Sequence, residues 1–545
     1  MLRHLLIAGM TVIVASIAVG PFVIMSLSAL ATGIGGQINW PGLLHSAMLS
    51  LWVGLSSTLI SCLLVMIALA ALDRHSRSLI WFRKLLAPFL AVPHAAVAVG
   101  LAFLMAPSGW INRWLASAGL LGATPPDYLF PQDPFGISLI LGLALKETPF
   151  LFLVLVSQLP HAKPQLTLQT TQSLGYGRSA AFLLTVTPAA YKLIRLPVFA
   201  VLAYGIGGVD MALILGPNLP PVLSVQVFNW WSHTSFNSED MVMVASLALL
   251  VTTVAGFAIW CLIERIAHLA VKIWASTGRR GVILDKPLRV ATSLTLMITI
   301  TLLSMSIGAL VVWSIAGPWS WPEALPSVWN LRHWSMSLSE AGAATADTMM
   351  IAVISSLVAI LISLLVLETA PERAIFAEKL IWLPLLLPQV ILLPAIHYQL
   401  VRLGFDGNMK AVVAVHVLFV LPYVHLCLAG PFRSIDRRLI QTASAMGMSP
   451  LAVAFRIRLP MLLTSLILAL AVGMAVSIAQ YLPTLMIGGG RIRTITTETL
   501  ALASGMNRRI VGVYATLQAL LPCIVFAIAM VLPRLVWRER KLMRT

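Results

Sequence analysis

Stretches of roughly 20 or more mostly apolar residues recur along this chain, and they decide what it folds into. A helix of about 20 such residues crosses the hydrocarbon core of a bilayer. Twelve are read. The first six lie near 5–30, 46–72, 85–106, 136–158, 196–215 and 241–263. The second six lie near 291–316, 346–369, 380–401, 411–431, 461–487 and 510–533. They are rich in Leu, Ala, Val and Ile and lack period-two alternation, which favours helices over a barrel. The first follows Met1-Leu2-Arg3-His4 without a clear small-x-small cleavage site and is read as a span. Only 10% of residues are charged and mean hydropathy is +0.94, so a water-solvated globule is excluded. The expected fold class is an all-α integral membrane protein with about twelve transmembrane helices.

The net charge of +17 in a soluble protein would suggest nucleic acid. Here its placement matters more. With the N-terminus in the cytoplasm and the spans alternating, 27 of the 36 Lys and Arg fall in cytoplasmic segments. Eight fall outside: Arg113, Arg332, Arg402, Lys410, Arg491, Arg493, Arg508 and Arg509; Lys146 lies within a span. That asymmetry orients the chain with both termini cytoplasmic, and the surplus suits an anionic inner leaflet. The bilayer is the expected surface partner and no nucleic acid is needed. Cys62, Cys261, Cys427 and Cys523 all lie in spans, with no pattern for a disulfide framework or a metal.

The chain is duplicated. Gln169-Thr170-Thr171-Gln172-Ser173-Leu174-Gly175 is followed by Thr185-Val186-Thr187-Pro188. Gln441-Thr442-Ala443-Ser444-Ala445-Met446-Gly447 is followed by Ile457-Arg458-Leu459-Pro460. The copies stand 272 residues apart, half the chain. At the same offset Gly216 meets Gly488, and Leu223-Ser224 meets Ile495-Thr496. Pro93-His94 pairs with Pro388-Gln389 at an offset of 295; the external loops 107–135 and 402–410 absorb the difference. Six spans per copy is an even number, so the halves share one orientation as parallel repeats. The divisions are a first half 1–263, a basic cytoplasmic linker 264–290, and a second half 291–545.

Each repeated loop (159–195 and 432–460) follows the fourth span of its half, on the cytoplasmic side. Small and polar residues lead to a glycine that permits a left-handed turn. A mixed helix then ends at Pro188 or Pro460. These read as short helices along the membrane surface.

The loops resemble the EAA loop of bacterial ABC-importer permeases, E-A-A-x-x-x-G-x9-I-x-L-P. The second copy matches at Gly447, Ile457, Leu459 and Pro460. The first matches at Gly175 and Pro188, with Thr185 and Thr187 in the aliphatic positions. Gln169 and Gln441 replace the glutamate, and Thr170-Thr171 replaces Ala-Ala, where the second copy has Thr442-Ala443. The whole chain is similar to the fused two-copy permeases of the thiamine and ferric-iron importer group. The stretches 208–217 and 480–484 look most like the YnjC-type permease.

The resemblance implies a MetI-like fold in a bacterial inner membrane and an ATP-driven importer. Its partners would be two copies of a cytoplasmic ATPase, seated on the two loops, and a periplasmic solute-binding protein. The chain has no G-x-x-x-x-G-K-[ST] phosphate loop, so ATP would be used by the partner and no cofactor or catalytic residue is expected here.

Intramembrane polar residues are pathway candidates. Lys146 and Glu147 sit in the fourth span; neighbours on a helix point about 100° apart and need not pair with each other. Asp210 follows Gly205-Ile206-Gly207-Gly208, glycines able to break the helix, and Gln480-Tyr481 occupies the equivalent region of the second half. His94, His397, His416 and His425 read as helix-packing partners. Gly216-Pro217 and Gly488-Gly489-Gly490 each lead into a short external helix. Trp230-Trp231 and Trp319-Ser320-Trp321 read as interfacial anchors. A gradient-driven secondary transporter with duplicated halves is the alternative; it would carry ionisable groups deep in several spans. An intramembrane enzyme is a third reading, without a Ser/His or H-E-x-x-H pattern to support it.

Overall fold

The computed structural model describes residues 20–31, 38–72, 77–159, 164–232, 238–368, 380–505 and 507–536. Among these the regular elements are helices, and strand-like pairing is limited to the isolated bridges Asn218–Pro221 and Ala316–Trp329. Nine described helices are long and apolar enough to cross a membrane, or eleven when two bent pairs count as single spans. The expected first span, 5–30, lies mostly outside the described residues.

The first half contains α1 (Gly20–Ala31), α2 (Trp40–Ala71), α3 (Arg77–Ala91), α4 (His94–Met105), α5 (Trp110–Ser117), α6 (Ile137–Gln158) and α7 (Pro164–Ser173). It continues with α8 (Arg178–Ala181), α9 (Thr187–Gly207), α10 (Asp210–Leu215), α11 (Leu223–Ser232) and α12 (Ser238–Ser276). The second half contains α13 (Asp285–Ile315), α14 (Arg332–Leu367), α15 (Leu380–Leu386), α16 (Gln389–Arg402), α17 (Met409–Ser434) and α18 (Arg437–Ala445). It ends with α19 (Pro450–Val453), α20 (Leu459–Met461), α21 (Leu463–Ala479), α22 (Leu482–Gly488), α23 (Ile495–Ala503) and α24 (Arg508–Val536).

Each half is built on three mutually packed helices: α2, α6 and α9 in the first, α14, α17 and α21 in the second. Without a hydrophobic drive between helices in lipid, close approach depends on small residues. The buried faces of α2 and α14 supply them. Ser46, Ser50, Gly54, Ser57 and Ser61 line one, and Ala344, Thr348, Ala352, Ser355, Ala359 and Ser363 line the other. Gly54 lies so close to α9 that a β-carbon would stand 2.5 Å from Ile206 Cγ1.

The halves exchange helices at their boundary. α13, from the second half, packs on α4 of the first, and α24 packs there too. In the mirrored arrangement α1 and α12 pack on α16. At Gly100 of α4 a β-carbon would lie 2.3 Å from the Ser306 carbonyl oxygen of α13.

Three expectations change. Four stretches read as single spans are interrupted: 85–106 at Pro93, 380–401 at Pro388, where the two pieces meet at 112°, and the two read as 196–215 and 461–487. The third breaks between Gly207 and Asp210, at the glycines able to break it, and the fourth between Ala479 and Leu482. Pro188 does not end a helix: it lies inside the continuous helical stretch Arg178–Gly207, just past a π turn. Pro460 is the last residue but one of the stretch Pro450–Met461, which then bends by 76° into α21. The basic linker is mostly helical: α12 runs through it to Ser276 and α13 begins at Asp285.

Candidate translocation seam and coupling turns

The two repeated loops have the same backbone. α7 ends before Gly175 at φ +86°, and α18 ends before Gly447 at φ +83°. This left-handed conformation is one that glycine adopts without steric cost. Beyond the turn each chain runs through one helical turn into a π turn, Phe182–Val186 and Ala454–Arg458, again 272 apart. In each the N–H reaches back five residues, from Thr187 to Phe182 and from Leu459 to Ala454. The prolines at 188 and 460 explain the slip: the i→i−4 ladder loses a donor there, and the preceding turn widens.

Side chains keep register as well. Gln169, Thr170, Gln441 and Thr442 are exposed, while Thr171 and Ala443 face inward. Leu174 and Met446 occupy the same place just before the glycine, and both project into solvent, 63% and 77% exposed.

The turns differ in what covers them. In the second copy Ser449 caps α19, its Oγ accepting from the Ala452 N–H at 3.2 Å. The matching residue in the first copy is Gly177, which has no side chain to do so. The Asp285 carboxylate does it instead, accepting from the Arg178 and Ser179 N–H groups at 2.8 Å each. Gly177 N–H donates to the Arg280 carbonyl, also at 2.8 Å, and the Arg280 side chain lies over Gly175.

Between the halves, one polar network lies in the first-half wall. Lys146 and Glu147 are both buried and diverge as helical neighbours must. Lys146 Nζ donates to the Phe89 carbonyl at 2.6 Å; Glu147 Oε1 meets His94 Nε2 at 2.8 Å. The two contacts therefore fall either side of the Pro93 break, one on α3 and one on α4. The His94 ring lies 4.4 Å from that of Tyr204, whose hydroxyl donates to Asp210 Oδ1 at 2.6 Å. Glu147, His94, Tyr204 and Asp210 thus form one chain of contacts. At the corresponding positions of α17 stand Leu418 and Phe419, so the network is one-sided.

The second-half candidates separate. Tyr481 stands at the seam, its ring 6.1 Å from that of Phe228 in the first half. Gln480 belongs to another group: its Nε2 donates to the His416 carbonyl at 3.5 Å, while Oε1 has no partner. His416 is held by Ser477 at 2.8 Å and Thr484 at 2.9 Å. Across the seam Gly207 fits against Pro388, where a β-carbon would lie 2.2 Å from Pro388 Cβ.

The glycines at 216 and 488–490 do precede short helices, α11 and α23. Each helix begins with its N–H donated to a hydroxyl of the long helix: Leu223 to Ser50 at 2.8 Å, Ile495 to Thr348 at 2.9 Å. Two tryptophan sites depart from the anchor reading. Trp231 Nε1 donates to His397 Nδ1 across the seam at 3.3 Å. Trp319 is 7% exposed and stacks under the Arg113 guanidinium, 4.6 Å away. Sequence reasoning missed Tyr204, Arg280 and Asp285. Asp285 opens a helix, and nothing local says that it also caps another. No group of His, Cys, Asp or Glu suited to a metal occurs among the described residues.

A family model described as the binding-protein-dependent transport system inner membrane component matches residues 375–536. The chain is 30% identical over 507 residues to the inner membrane ABC transporter permease protein YnjC of Escherichia coli (strain K12), covering 92% of this chain and 90% of that protein. It is 29% identical over 106 residues to the spermidine/putrescine transport system permease protein PotC homologs of Mycoplasma pneumoniae and Mycoplasma genitalium. Those alignments span 19% of this chain and 35% and 36% of those proteins.

Proposed function

Because the chain belongs to the family of inner-membrane permease subunits of ABC transporters, we propose that it forms the solute pathway of an ATP-driven importer between its two halves. As a permease it is a non-catalytic, multi-pass subunit. Two ATPase subunits seat on the Gly175 and Gly447 turns at the cytoplasmic face, which also carries both termini. A periplasmic binding protein delivers solute to the opposite face. The divisions are the two halves 1–263 and 291–545 joined by 264–290. ATP closes the ATPase pair, draws the two turns together, and rocks the halves about their pseudo-two-fold axis. Lys146, Glu147, Asp210 and Tyr481 then lie along or beside the seam that opens, with Gln480 behind it.

The observation that carries this reading is the pair of turns. Identical backbones 272 residues apart each present a bare apolar side chain, Leu174 or Met446, beside a left-handed glycine. Solvated apolar groups on matched, rigid turns suit a partner of matched symmetry. The docking sequence Gln169-Thr170-Thr171 and its counterpart Gln441-Thr442-Ala443 offer amides and hydroxyls where the related motif has a charge.

The test is co-purification of the full-length protein with an ATPase subunit. Replacing Gly175 and Gly447 together by Val should lower the ATPase recovered at least tenfold while membrane insertion is unchanged. Undiminished recovery would overturn the docking assignment. Transport that survives without any ATPase but collapses with the ion gradient would point instead to a secondary transporter.

A further inference from the structure

The two coupling turns are built alike but secured differently, and the difference lies at one residue. Residue 449 is Ser and caps its own helix; the equivalent residue 177 is Gly and does not. A helix start leaves N–H groups without partners, and Ser at the cap position satisfies one of them. In the first copy that work passes to Asp285, which is 107 and 106 residues from the groups it accepts, at 2.8 Å from each. A carboxylate at a helix N-terminus also meets the positive end of the helix dipole.

Asp285 is at the same time the first residue of α13. It therefore ties the start of a 31-residue helix of the second half to the coupling turn of the first. Glycine at 177 is what allows this. Its φ is ordinary, so conformation does not require it. A β-carbon there would stand 2.8 Å from Asp285 Oδ2 and 2.8 Å from Val282 Cα, and would push the linker away. Two further contacts hold the same place: the Gly177 N–H on the Arg280 carbonyl, and the Arg280 side chain over Gly175. α13 in turn packs along α4, the helix that carries His94 of the seam network.

We propose that Asp285 is a cross-half latch: a positioning residue that makes the first coupling turn and α13 move as one body, so that displacement of that turn reaches the seam through the opposite half. The second turn, with its own Ser449 cap, works without such a tie from Asp285. The two coupling turns are then mechanically unequal although their sequences are duplicated. The proposal rests on the docking reading above for the force that moves the turn, and on the hydrogen bonds alone for the tie.

The test separates capping from latching. Combining Gly177→Ser with Asp285→Ala gives the first turn the same local cap as the second and cuts the tie. Amide hydrogen exchange is followed on the full-length protein in lipid nanodiscs, with and without the co-purifying ATPase. The expected result in the wild type is that ATPase slows exchange at 164–186 and, at least fivefold, at 285–292. In the double variant 164–186 still responds and 285–292 does not. Equal responses at 285–292 in both proteins, or none there in the wild type while 164–186 is protected, would overturn the latch. A wild type in which ATPase leaves 164–186 untouched would count against docking alone. The latch is then read without ATPase, from Gly175→Val. That change should alter exchange at 285–292 at least fivefold when Asp285 is present and leave it unchanged in the double-variant background. No change in either background would overturn the latch.

Discussion

The Lys146 ammonium meets the Phe89 carbonyl at 2.6 Å inside the first half, and Pro93 is the reason that carbonyl is free. Four residues on from Phe89, where a helix would supply the next N–H, the chain has proline and no donor. A buried carbonyl without a partner is costly in hydrocarbon, and the lysine fills the vacancy. Lys146→Met should lower stability by about 1–3 kcal/mol, read as a lower thermal midpoint in detergent. In a Pro93→Ala background the restored N–H can take the carbonyl, so the same substitution should cost less. An equal cost in both backgrounds would separate Lys146 from the break.

Tyr204→Phe removes the hydroxyl that serves Asp210. The carboxylate is then left in a low-dielectric seam without that donor, a loss of about 1–3 kcal/mol. Adding Asp210→Asn removes the charge that needed it and should recover part of the loss. The thermal midpoints of the single and double variants form the cycle. A Tyr204→Phe protein as stable as the wild type would mean that the network does not act as a unit.

The short helices α11 and α23 each begin with a backbone N–H donated to a hydroxyl of a long helix. Ser50→Ala and Thr348→Val should each cost about 1–3 kcal/mol. The sites belong to different halves, so the two losses should add. Hydrogen exchange at 223–226 and 495–498 would show each helix start loosening separately. Protection that persists at both starts would count against these tethers.

Gly207→Val should wedge α9 away from Pro388. The close approach is one-sided, because the corresponding residue of the second half, Ala479, already carries a β-carbon. Overpacking of this kind costs about 1–3 kcal/mol. Spin labels placed across the seam should report a longer distance. An unchanged distance with normal stability would mean that the seam accommodates the added volume.

Much of this architecture was legible in the residues themselves. The apolar stretches, the 272-residue repeat, the turn glycines at 175 and 447 and the glycine break before Asp210 all follow from local chemistry. The matching break at Gln480 was missed although it has a local signal: Pro483 stands four residues after Ala479 and withholds the N–H that the Ala479 carbonyl would need. The π turns were missed because a proline signals a lost donor but not whether the helix stops or widens. Asp285, His94 with Glu147, and Trp231 with His397 depend on partners far away in the chain, and periodicity says nothing of these. Trp319 shows the same limit: a tryptophan beside a span suggests the interface until an arginine from the other half is found above it.

The exchange of helices between the halves has a consequence for how the protein is made. The face of α4 around Gly100 is covered by α13, whose Ser306 follows some two hundred positions later in the chain. At about 5–20 residues per second, the ribosome supplies that cover roughly 10–40 seconds after α4 has been synthesised. During that interval the insertion machinery holds an unfinished bundle in which this closely packed surface is still bare. Carrying both halves on one polypeptide ensures that the missing helix arrives at the same translocon, in single copy, and already oriented.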